Sequence, residues 1–83
     1  MSRYTLIDLH ARQRRVALRD ESGGYHIAIL DSQIDEIGIA IDGPQARPGY
    51  ALLCDARSGR VMHAVFRMIH CTQDEALSQL HPV

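Results

Sequence analysis

The stretch that most constrains the fold is GYALLCDARSGRVMHAVFRMIHC, residues 49–71, a long strand-forming run with turn-forming residues at its centre. Arg57-Ser58-Gly59 reads as a three-residue hairpin loop, because Gly59 can adopt the left-handed backbone that closes such a turn. Pairing Ala56 with Arg60 then sets the register. On that register Tyr50, Leu52, Cys54, Met62, Ala64, Phe66 and Met68 share a core face, and Ala51, Leu53, Val61, His63, Val65, Arg67 and Ile69 share the opposite one.

The flanking segments follow the same logic. Arg3 to Ala11 is rich in strand formers and is expected to be the first strand, with its register left open. Val16 to Asp31 forms a second hairpin around Glu21-Ser22-Gly23-Gly24. Pairing Asp20 with Tyr25 groups Val16, Leu18, Tyr25, Ile27 and Ile29 on one side and Ala17, Arg19, His26 and Ala28 on the other. Ser32 to Ile37 fits one helical turn or a polar loop, and Ile37, Ile39 and Ile41 alternate as a short strand. Thr72 followed three residues later by Glu75 matches a capping box, so a short helix carrying Ala76, Leu77 and Leu80 is expected, ended by Pro82.

With 83 residues, no repeat and no linker, the chain is a single domain over residues 1–83. Short strands that must cover both sides of one small core imply a strongly bent sheet. The expectation is an all-β, five-stranded antiparallel barrel with a short C-terminal helix, which resembles the OB and SH3-like barrels in element count and loop placement.

Nine arginines, no lysine and ten acids leave a net charge of −1, which argues against indiscriminate polyanion binding. Residues 1–19 are basic and residues 20–45 acidic. No window approaches the eighteen or so apolar residues of a membrane span, and the first ten residues lack a leader-like apolar run; no membrane association and a cytoplasmic location are expected. Cys54 and Cys71 are too far apart on the hairpin for a disulfide, and are expected to be free, at least half-buried thiols.

The anomaly is the second face of the central hairpin. An outward strand face should be polar, yet Leu53, Val61, Val65 and Ile69 stand there with His63 and Arg67. Either the C-terminal helix or the curl of the barrel covers them, or another chain does; the expected function is a non-catalytic binding module that uses this face for protein–protein contact or homo-oligomerisation. Single-stranded nucleic acid is the alternative partner, through Arg3, Arg12, Arg14, Arg15 and Arg19 with Tyr4 as a stacking platform. A lesser alternative is copper or zinc binding by Met62, His63, Met68, His70 and Cys71 with Cys54 opposite, although the diagnostic ligand spacings are absent; no metal or other cofactor is expected. Catalysis is not expected: no serine, cysteine or carboxylate pair stands in a nucleophile or acid–base pattern, Asp35-Glu36 and Asp74-Glu75 reading as loop and helix-start residues.

Overall fold

Two aspartates open the two hairpin turns, and the turn lengths they set decide which side chains enter the core. The computed structural model describes residues 2–34 and 36–81. The strands are β1 (Ser2–His10), β2 (Arg15–Asp20), β3 (Tyr25–Leu30), β4 (Ala40–Gly43), β5 (Gly49–Asp55) and β6 (Val61–Cys71), followed by helix α1 (Gln73–Leu80). They form an antiparallel sheet in the order β1-β2-β3-β6-β5-β4 that closes on itself through β1 and β4. The barrel thus has six strands rather than five. Short β4 is a wall in its own right, pairing with β1 on one side and β5 on the other. Ile41 lies on it, while Ile37 precedes it and is exposed; the 32–37 connection contains no helical turn among its described residues.

In the β2–β3 hairpin the Asp20 amide donates to Gly24 O, and Asp20 Oδ1 accepts from the amides of Ser22 and Gly24. The loop is Glu21-Ser22-Gly23, one residue shorter than expected, with Gly23 at positive φ. Arg19 therefore faces Tyr25 and Leu18 faces His26, so Val16 and Leu18 enter the barrel with His26, Ala28 and Leu30. In the β5–β6 hairpin the Asp55 amide donates to Arg60 O, making a four-residue loop, one longer than expected. Leu53 faces Met62 and Ala51 faces Ala64. The β6 side of that hairpin is as expected to Phe66, but the β5 side is reversed: Leu53 is 1% exposed and belongs to the core, whereas Tyr50 and Leu52 point outward. Because side chains alternate with period two, a one-residue error inverts a whole arm.

A third correction comes from bulges. The β3–β6 register shifts at Arg67 and again near His70, whose φ is +50°. Past Phe66 the inward and outward sets of β6 exchange. Ile69 packs against the barrel core rather than lining the outer face, and Met68 turns outward beneath α1. That helix buries Ala76 and Leu80 against Ala17 and Ile27, so it covers β2 and β3 rather than the β5–β6 face. Its capping box is present: Thr72 Oγ1 accepts from the Glu75 amide, and Glu75 Oε1 accepts from the Thr72 amide. Pro82 lies outside the described residues. No described helix is long and apolar enough to cross a membrane.

Two consequences can be measured. A Cβ on Gly43 would lie 2.5 Å from Leu53 Cδ2 inside the packed wall, so Gly43→Ala should cost about 1–3 kcal/mol in urea unfolding. The cost should shrink in a Leu53→Val background, and equal penalties in the two backgrounds would refute this packing. The amides of Arg57 and Ser58 donate to Asp55, and together they outweigh a smaller opposing effect of burial, holding its carboxyl below the ordinary range. A carboxyl lowered in the folded state stabilises above its unfolded pKa of about 3.9 and loses that contribution as pH falls through the folded value. The stability gap between wild type and Asp55→Asn should therefore narrow below about pH 4; a gap independent of pH would contradict it.

Candidate functional site

Register decides what the outer wall presents. Across neighbouring strands Arg15, Ile29, Val65 and Tyr50 stand in one row, His63 and Leu52 in the next, and Val61, Cys54, Asp42 and Arg3 in a third. Tyr50 is 65% exposed, Val61 57%, Leu52 47% and Val65 41%, side by side on β5 and β6. His63 lies among them, its Nδ1 hydrogen-bonded with the Tyr50 hydroxyl and its backbone amide donating to Asp31 Oδ1 at 3.0 Å. Of the six residues expected on this surface, Val61, His63, Val65 and Arg67 are exposed there; Leu53 and Ile69 are not. Tyr50 and Leu52 replace them, and the aspartate at the start of each turn is the signal that would have placed them.

One end of the face is basic. Arg67 and Arg15 flank the Val65 row, together with Ile27, Ile29, Met68 and Gln79 around a small cleft. Toward the opposite end Asp31 accepts from the His63 amide, and Asp42 is paired with Arg3.

The arginines of the nucleic-acid alternative do not form one patch. Arg3 is locked in a bidentate pair with Asp42 at 2.8 and 3.0 Å, and Arg19 lies beside it across from Thr5. Arg12 and Arg14 stand on the turn after β1, and Arg14 and Arg15 donate to the carbonyls of Asp31 and Gln79. Arg15 and Arg19 are thus about 13 Å apart along β2 at ~3.3 Å per residue. Tyr4 is buried, its hydroxyl donating to Pro44 O, so it offers no stacking surface. The Met/His/Cys set does not converge either. Met62 is in the core, His63 is outside, Met68 is under the helix, and Cys71 Sγ donates to Tyr25 O. Burial pushes the Cys71 thiol up, which suits a hydrogen-bonded thiol better than a nucleophile. Both cysteines are free.

A second cluster went unread in the sequence. His26 has no solvent exposure and packs edge-on against Tyr4 and Phe66. Its Nδ1 accepts from the His70 amide at 3.1 Å, and Nε2 contacts Asp20 Oδ2 at 2.8 Å. Accepting an N–H requires a bare Nδ1, so the proton sits on Nε2 and is donated to the carboxylate. Burial pushes the Asp20 carboxyl up, but the donors from His26, Gly24 and Ser22 together outweigh it and hold the group below its usual range. Both ring nitrogens are occupied, so His26 has no free site for proton transfer to a substrate; it pins the β2–β3 turn to the β6 bulge.

The chain matches no protein-family model, and no match to it was found among curated proteins or solved structures.

Removing either partner of the pin leaves buried polar groups without partners. His26→Ala and Asp20→Ala should each lower stability by about 2–4 kcal/mol. The double variant should cost clearly less than the sum of the two, since they cut one network. Additive effects in urea unfolding would show that the two residues act separately.

Proposed function

We propose that this chain is a non-catalytic binding module that associates with a second copy of itself through the outer face of β5 and β6. The observation that carries the reading is the contiguous exposure of Tyr50, Leu52, Val61 and Val65 around His63, an apolar stretch that α1 leaves uncovered. Contiguous apolar surface exposed to water marks association sites, whereas scattered apolar residues do not.

A second copy suits this face because a two-fold axis through its centre lays the apolar patch on itself, an isologous contact that covers Tyr50, Leu52, Val61 and Val65 of both copies. From Val61 to Arg67 the footprint runs about 20 Å along the strands, and from β4 to β3 about 14 Å across them, at ~3.3 Å per residue and ~4.8 Å between strands. That is small for a permanent dimer, and places the contact among weak, reversible associations.

Sedimentation from micromolar to millimolar protein provides the test. Wild type should pass from monomer to dimer, while Val65→Asp, at an exposed position, should stay a folded monomer throughout. A wild type that is monomeric at every concentration, or a Val65→Asp variant that associates equally well, would overturn the reading.

A further inference from the structure

We propose that Asp20 and His70 form a binding site for a divalent transition-metal ion of the zinc or nickel type, with His26 as a positioning residue behind the carboxylate rather than a ligand. Ligand atoms of Asp20, His26 and His70 lie within 4.8 Å of one another. The combination of imidazole and carboxylate suits zinc, nickel and copper better than calcium or magnesium.

The hydrogen bonds divide the three residues into two roles. A neutral imidazole has one lone pair available in the ring plane, and His26 commits its own at Nδ1 to the His70 amide. Binding metal at Nε2 would require a proton on Nδ1, aimed at that N–H. His26 instead donates Nε2–H to Asp20 Oδ2, which orients the carboxylate as outer hydrogen-bond partners orient metal ligands elsewhere. Oδ1 is occupied by the two turn amides, leaving the second lone pair of Oδ2 for a cation.

The exposed His70 imidazole is free for the task. Its φ of +50° is uncommon for a residue with a side chain, and the bulge that imposes it holds the ring edge-to-face with His26 at a centroid distance of 5.0 Å. Metal–ligand bonds of about 2.0–2.2 Å in a tetrahedral site set two donors ~3.4 Å apart, so the His70 ring must turn toward Asp20 to close the site. The approach is open: Asp20 and His70 border a depression of about 400 Å³ with Ser2, Tyr4, Glu21 and Gln45, room for the waters that complete the coordination of a two-ligand site.

The test uses the full chain with zinc chloride alone, and nickel chloride in parallel, followed by long-range proton–nitrogen correlation of the histidine rings. Zinc should shift the His70 ring signals while His26 retains its proton on Nε2. His70→Gly keeps the backbone N–H donated to His26 and relaxes the positive φ, so it should stay folded while binding zinc at least tenfold more weakly. Three results would overturn the proposal: no change at His70 up to millimolar zinc, equal affinity in His70→Gly, or loss of the His26 Nε2–H signal on binding. The second would move the ion to another histidine, and the third would make His26 a ligand.

Discussion

His26 is fully buried between Tyr4 and Phe66, and the architecture around it follows from how its two nitrogens are satisfied. An unpaired imidazole in that interior would carry a desolvation cost of a few kcal/mol. One nitrogen takes the amide of residue 70, 44 positions away in sequence, and the other gives its proton to Asp20, which already organises the β2–β3 turn. The three-residue turn, the inward register of β2 and β3, and the left-handed bulge of β6 are therefore parts of one constraint. Changing any one would strand a buried donor or acceptor. No buried side-chain nitrogen or oxygen among the described residues lacks a partner.

The bulges of β6 then divide the labour of the two sheet surfaces. Up to Phe66 the strand sends Met62, Ala64 and Phe66 inward and leaves Val61, His63 and Val65 outside. Beyond Arg67 the phase is reversed, so that Met68 meets the helix and Ile69 the barrel. The helix consequently has its own apolar seat on Ala17 and Ile27 and does not compete for the β5–β6 face. The sheet closes through β1 and β4, and the apolar wall on β5 and β6 is the surface we propose for association.

Much of this was legible in the sequence. Two hairpins, the helix and its capping box, the barrel class, and the core positions Met62 and Phe66 follow from turn residues and periodicity. What failed was the count of loop residues. Reading the first turn one residue too long and the second one too short exchanged Leu53 with Leu52 and Ile27 with His26. Asp20 and Asp55, as turn-opening residues whose carboxylates collect the following amides, carried the information. The bulge at Arg67 had no such marker, because no glycine or proline announces it. The meeting of His26 with His70 is a long-range consequence of that bulge, beyond the reach of local pattern.

The central claim is that one apolar face, Tyr50, Leu52, Val61 and Val65, looks out from the monomer while its sequence neighbours Ala51 and Leu53 look in. Methyl-labelled protein with a soluble paramagnetic gadolinium chelate reads this directly. At low concentration the methyl signals of Leu52, Val61 and Val65 should relax strongly and those of Leu53 and Ala51 hardly at all, and the first set should become shielded as protein concentration rises. Strong relaxation of Leu53 with protection of Leu52 in the monomer would contradict the register, and an outer set that stays equally accessible at every concentration would contradict the role assigned to that face.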